Sequence, residues 1–255
     1  MNPAHERYGM GKFAIGYLIY LSKARSTSSV HSPFIFNWCR SILNSSERND
    51  KWAEIESLRS DLLKNKRLIQ GGRSISQIAR KAAKQPKYAQ LLGRIVEFHH
   101  PLKVIELGTS LGISAAYIAS SLDENEEFTT IEGNQEIASL AQKNLDTLGS
   151  KVDVRSGLFV EVLPGVLEEM RRVDLIFFDG HHDYDATIEY FEMVLPYVHS
   201  NTVMIFDDIN WSSGMQRAWK RIKANERVTQ TIDLYMLGVA FLREGVAEEH
   251  FVLHY

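Results

Sequence analysis

Cysteine is nearly missing from this chain of 255 residues. The single Cys39 rules out an internal disulfide and a cysteine-built zinc site, and it suits a reducing compartment, so a cytoplasmic location is expected. Long apolar runs are missing as well. The run Phe13–Leu21 is too short to cross a bilayer and no small-residue cleavage signature follows it, so neither a transmembrane segment nor a signal peptide is expected. There is no internal repeat and no low-complexity segment. What is present is ordinary for a globular enzyme, with 44% apolar and 24% charged residues. The length allows one large α/β domain, or one domain with a helical appendage.

The near-neutral net charge of −3 hides an asymmetry. Residues 1–90 carry 16 Lys and Arg against 6 Asp and Glu, whereas residues 91–255 carry 13 against 26. The basic residues are scattered, which favours packing of basic on acidic parts over a dedicated surface for an anionic substrate, nucleic acid or anionic lipid.

Residues 1–85 read as helical and irregular. Phe13–Leu21 is apolar, Ser22–Ser29 breaks it, His31–Leu43 has aromatic residues at near-helical spacing after Pro33, and Trp52–Leu63 is amphipathic. This region is expected to be a helical cap or a dimer arm, which leaves a homodimer open. From residue 86 the rhythm changes to alternating helices and short apolar strands, as a parallel sheet requires. Strands are expected at Lys103–Leu107, Phe128–Ile131, Val152–Arg155, Val173–Phe178 and Val203–Phe206, each followed by a helix. Three strand-like segments close the chain, at Val228–Leu234, Gly238–Arg243 and His250–His254.

The segment VIELGTSLGIS, Val104 to Ser114, is the most informative. An apolar strand ends in an acid, a glycine turn follows, and a helical pattern begins at Ser114. Dinucleotide-binding turns have G-x-G-x-x-G after the strand. Here the spacing is E-x-G-x-x-x-G, and Glu106 would repel a pyrophosphate but pair with an ammonium group. In an open α/β sheet the ligand sits beyond the carboxyl ends of the strands. Those ends carry Glu106, Glu132, Ser156-Gly157, Asp179 and Asp207-Asp208. One such acid is commonly a helix cap; four acidic ends out of five point to a ligand.

These residues resemble the class I S-adenosylmethionine-dependent methyltransferases. From about Lys87 to Tyr255 the chain is similar to the catechol and caffeoyl-CoA type of O-methyltransferase, through the Asp179-Gly180-His181-His182-Asp183-Tyr184 segment that fits DGxHxY. The resemblance implies a Rossmann-like α/β fold with a seven-stranded, mostly parallel sheet over residues 86–255. It implies that Glu106, Gly108, Thr109, Ser110, Gly112 and Ser114 hold the methionine end of S-adenosylmethionine. Glu132 would hold the ribose hydroxyls, Gly157, Leu158 and Phe159 would border the adenine, and Asp179 would complete the cofactor set. It further implies a divalent cation such as Mg²⁺ on Asp179, Asp207 and Asp208. Asp208 is a departure, because the family has asparagine there and the acid adds a third negative charge.

Methyl transfer to oxygen needs positioning and removal of the acceptor's proton. A cation can lower the acceptor's pKa, and a base near neutrality can take the proton. His182, three residues after Asp179, is the candidate base, ahead of His181. Trp211, Gln216 and Arg217 stand where they could line an acceptor pocket. The expected activity is O-methylation of a small-molecule hydroxyl. Methylation of nucleic-acid amino groups is disfavoured, since no Asn/Asp-Pro-Pro-Tyr-like segment follows the fourth strand. The competing classes are a nicotinamide-dependent oxidoreductase and a non-catalytic S-adenosylmethionine-binding module.

Overall fold

The computed structural model describes residues 8–45, 49–69 and 71–255. The chain divides into two compact units, residues 38–166 and residues 1–37 with 167–255.

The unit of residues 38–166 is built on three parallel strands in the order β3-β2-β1: β1 (Lys103–Leu107), β2 (Glu127–Glu132) and β3 (Asp153–Ser156). Val104, Ile105, Glu106 and Leu107 are all buried, as a strand covered on both faces requires. The helices that follow the strands are α6 (Ile113–Ala119) and α7 (Gln135–Thr147). Asn134 starts α7 by accepting from the N–H groups of Glu136 and Ile137. Before the sheet come α3 (Trp52–Lys64), α4 (Ile75–Ala82) and α5 (Pro86–His99). Here α3 is tied to α6 through side chains, with Trp52 Nε1 donating to Ser120 Oγ at 3.2 Å and the Tyr117 hydroxyl donating to Glu56 at 2.7 Å. The helical reading of residues 52–63 thus holds.

The other unit carries five strands in the order β4-β5-β7-β6-β8. They are β4 (Val173–Phe178), β5 (Val198–Asp207), β6 (Gln230–Asp233), β7 (Leu237–Phe241) and β8 (Glu249–Val252). The pair β4 and β5 is parallel, β7 runs antiparallel to β5 and to β6, and β8 pairs parallel with β6. Among the described residues there are therefore eight strands, matching the eight segments read from the sequence and one more than the seven that the family resemblance implies. The last, β8, overlaps the segment read at His250–His254, and its flanks are held by the N–H of Glu249 on the Thr229 carbonyl and that of Leu253 on the Asp233 carbonyl.

A second difference concerns α9 (Tyr184–Val194), expected to continue to Val198. Pro196 lacks an N–H, so a short 3-10 turn at Leu195–Tyr197 closes the helix and β5 begins at once. Two other helices complete the unit's framework, α1 (Met10–Lys23) and α10 (Ser213–Lys223). The apolar stretch after Pro33 forms α2 (Pro33–Trp38) and then a π-helical turn at Cys39–Leu43. Between α7 and β4, α8 spans Phe159–Met170.

Candidate active site

In the unit of residues 38–166 the chain leaves β1 through three left-handed backbone positions, Gly108 (φ 108°), Ser110 (φ 47°) and Gly112 (φ 84°). Only glycine adopts such angles without penalty. A Cβ on Gly112 would also press on Leu145 at 3.3 Å, so position 112 admits no larger residue cheaply. The N–H groups of Gly108 and Thr109 both donate to the Ile131 carbonyl at the end of β2, at 2.9 and 3.2 Å. These bonds hold the turn beside Glu132.

Glu132 is half-buried and already anchored. Its Oε2 accepts from the Ser110 N–H and its Oε1 from the Asn134 N–H, both at 2.9 Å. Each carboxylate oxygen retains a lone pair for a further donor. At the end of β3, Gly157 has φ 150°, and a Cβ there would sit 2.6 Å from Val162. Leu158 beside it is exposed, whereas Phe159 is packed into the core.

Glu106 is the unusual group. It is completely buried on β1, and Oε2 accepts a 2.6 Å hydrogen bond from the Thr130 hydroxyl, its register partner on β2. Thr130 is held in turn by the Thr109 hydroxyl at 2.7 Å. Oε1 has no partner of hydrogen-bonding geometry, the Ser114 hydroxyl being a polar neighbour. Burial raises the Glu106 pKa from 4.5 to about 7, against the opposing pull of the Ser114 and Thr130 hydroxyls. A buried carboxylate oxygen without a donor is costly, and a cationic ligand group would satisfy it. The residues of this unit therefore fit the ammonium of S-adenosylmethionine. Thr130 and Asn134 escaped the sequence reading. Thr130 could have been found from its position one strand over, in register with Glu106.

In the other unit, the ends of β4 and β5 bring Asp179, His182 and Asp207 together, with one ligand-type atom from each lying within 4.8 Å of the others. His182 Nε2 lies 3.7 Å from Asp179 Oδ1. Asp207 is buried, while Asp179 and His182 are half-buried. Two carboxylates with one imidazole form a donor set that suits a divalent cation completed by water. Asp208 is not in this group. It has a left-handed backbone (φ 53°), as do His181 (φ 62°) and His182 (φ 38°). Non-glycine residues rarely adopt such angles, and their concentration at two strand ends is typical of functional loops.

His181 is committed elsewhere, with Nδ1 2.6 Å from the Tyr190 hydroxyl. Gln216 is fixed on both sides, its Nε2 donating to Asn210 and its Oε1 accepting from the Tyr8 hydroxyl, each at 3.0 Å. Tyr8, which the sequence did not mark, also donates its N–H to the Trp211 carbonyl at 3.1 Å. The Arg217 guanidinium lies over the Tyr184 ring at 5.3 Å.

The chain is similar to several known proteins. The methyltransferase-domain family matches residues 105–209. A catechol O-methyltransferase of Niastella koreensis is 33% identical over 128 residues, covering 49% of this chain and 56% of that enzyme. The chain thus spans about half the length of the curated relative it matches. Two solved structures share the fold. An O-methyltransferase from Bacillus cereus in complex with SAH has a TM-score of 0.58 at 20% identity, covering 80% of this chain and 96% of that one. The O-methyltransferase TomG from Streptomyces achromogenes in complex with SAM has a TM-score of 0.60 at 18% identity, with the same coverage of both chains. In its fold this chain is similar to these O-methyltransferase structures, and its residues 105–209 match the methyltransferase-domain family.

Proposed function

We propose that the protein transfers the methyl group of S-adenosylmethionine to a hydroxyl of a small-molecule acceptor, with S-adenosylhomocysteine as the other product. The observation that carries this reading is the grouping of Asp179, His182 and Asp207 at two strand ends. It supplies a proton acceptor beside carboxylates suited to a cation. Glu106 receives the ammonium of the cofactor, and Glu132 receives the ribose hydroxyls. The Gly108–Gly112 turn brings backbone close to the methionine moiety, and Gly157 leaves room beside the adenine edge.

Asp179 and Asp207 would hold a divalent cation, whose charge favours ionisation of an acceptor hydroxyl. His182 Nε2 takes the acceptor's proton, and Asp179 stabilises the imidazolium that results. Asp208 adds negative charge at the same strand end. The reducing environment suited to the lone, buried Cys39 supports a cytoplasmic enzyme.

The 4.8 Å grouping also favours a second reading, in which His182 is the third ligand of the cation. One experiment separates the two and tests the whole proposal. Turnover is followed as S-adenosylhomocysteine release from a panel of catechol-type and other phenolic acceptors, with chelator and then with graded Mg²⁺ or Mn²⁺. As a base, His182 replaced by alanine lowers kcat and leaves the metal requirement unchanged. As a ligand, the same change raises the metal concentration needed. Full turnover in chelator removes the cation from the proposal, and no turnover of any hydroxyl acceptor by a cofactor-binding protein removes the reaction.

A further inference from the structure

Helix α1 buries only a narrow stripe. Phe13, Gly16 and Tyr20 face Tyr235, whose hydroxyl donates to the Phe13 carbonyl at 2.6 Å. Much of the remaining surface is apolar and exposed: Ile15 is 60%, Leu18 64% and Ile19 50% accessible, with Leu21 beside them and Tyr17 at the edge, where its ring also meets Tyr235. Five large apolar residues within two turns form a contiguous patch of the kind that marks an interaction surface. A helix apolar nearly all round belongs in a protein interior or in lipid.

The charges around the patch decide between those occupants. From Arg7 to Ser46 the chain contains no Asp or Glu. Lys12 lies near one end of α1, Lys23 and Arg25 at the other, and all three are exposed. Beyond the carboxyl end of α1 is a cleft of about 360 Å³ whose lining includes Lys23, Arg25, His31 and His250, with Glu249 as its one acid. A second copy of α1 laid antiparallel on the first would set Lys12 against Lys23 of the partner subunit, with no acid from either helix between them. An anionic lipid surface matches both features, since aliphatic side chains can enter the acyl boundary while lysine stems reach outward to headgroups.

We propose that the exposed face of α1 is a docking surface for anionic lipid bilayers, on which the enzyme lies without spanning them. No helix of the described residues is long and apolar enough to cross a membrane, and α1 itself, at 14 residues, suits a position in the plane of the interface. Lys12, Lys23 and Arg25 thereby acquire a use separate from the methyl-transfer site.

Flotation of the whole protein with vesicles of phosphatidylcholine alone, or with phosphatidylglycerol added, tests this. Binding to the anionic vesicles is expected, weakened by salt and by Lys12→Gln with Lys23→Gln. Leu18→Asp with Ile19→Asp is expected to weaken it by about tenfold or more. Calorimetric binding of S-adenosylmethionine checks that each variant is folded. Both positions are solvent-facing, and the lysine variant supplies an independent arm should the aspartate variant not fold. Failure to float with anionic vesicles, equal binding to neutral ones, or full binding by the aspartate variant overturns the proposal. A stable dimer in solution that Leu18→Asp dissociates overturns it in favour of a second copy as the occupant.

Discussion

Replacing Glu106 by glutamine should separate the cost of that residue from its use. The carboxyl is fully buried and its pKa lies at about 7 instead of 4.5. At about 1.4 kcal/mol per unit, keeping it ionised at alkaline pH costs the cofactor-free protein about 3 kcal/mol. The folded-state pKa is raised, so the folded state binds the extra proton. This stability is fully present below pH 4.5 and is lost as the pH rises through about 7. Glu106→Gln should therefore leave stability nearly unchanged at pH 4.5 and raise it by up to about 3 kcal/mol at pH 8. The amide oxygen can keep the Thr130 hydrogen bond, while the NH₂ faces the Ser114 hydroxyl. Urea titration of both proteins without cofactor at the two pH values reads the effect directly. S-adenosylmethionine should behave in the opposite sense. Its ammonium favours the ionised carboxylate, so binding to the natural protein should release a proton near pH 6.5 and tighten as the pH rises towards 8. Calorimetry in buffers of different ionisation enthalpy measures that proton, and the glutamine variant should bind weakly without releasing it. Equal stability differences at both pH values, or no proton release, would refute the reasoning about Glu106.

Three further outcomes are expected. Glu132→Ala removes the acceptor of two backbone N–H groups as well as the proposed ribose contact, so S-adenosylmethionine affinity should fall by about 1–3 kcal/mol in isothermal titration; unchanged affinity would remove Glu132 from the cofactor set. Gly157→Ala places a Cβ 2.6 Å from Val162 at φ 150°, and should lower stability to denaturant by about 1–3 kcal/mol; a variant as stable as the parent would show that the turn can relax. Asp207→Asn should raise the divalent-cation concentration needed for half-maximal turnover while leaving cofactor affinity intact, and an unaltered cation dependence would place the cation elsewhere.

Much of this was legible because two periodicities are strong in the sequence. Continuous apolar runs gave β1 and β4 to the residue, since strands buried on both faces leave little ambiguity at their ends. The lower edge of β5 was misjudged because His199 and Ser200 are polar and half-buried, which hides a strand that begins at Val198. The count of seven strands came from the family resemblance, whereas the strand-like segment read at His250–His254 overlaps β8, an edge strand whose backbone pairing with β6 sets its bounds at Glu249–Val252. At the candidate site, acids at strand ends could be read, but the groups that orient them could not. Thr130 touches Glu106 only because β1 and β2 pair in one register.

The Asp207–Asp208 pair shows where adjacency in sequence stops being informative. Both acids stand at the end of the same strand, and their adjacency offers no ground for preferring one. Asp207 is the last residue of β5, so its extended backbone fixes the side chain toward Asp179 and His182. Asp208 leaves the strand with φ 53°, and that turn sends it out of the group. His182 enters the group by the same device, through two successive left-handed residues that swing the chain back toward Asp179. Left-handed backbone at non-glycine positions costs on the order of 1–3 kcal/mol per residue. A loop evolved only to connect β4 to α9 could relieve that cost with glycine at 181 and 182. Replacing His181 by glycine should therefore relax the backbone while removing the Tyr190 contact, leaving stability changed little. The informative readout is kcat: if the turn serves to hold His182 in place, turnover should fall with cofactor affinity unchanged, and a fully active variant would show that Asp183, which caps α9, is enough to place it.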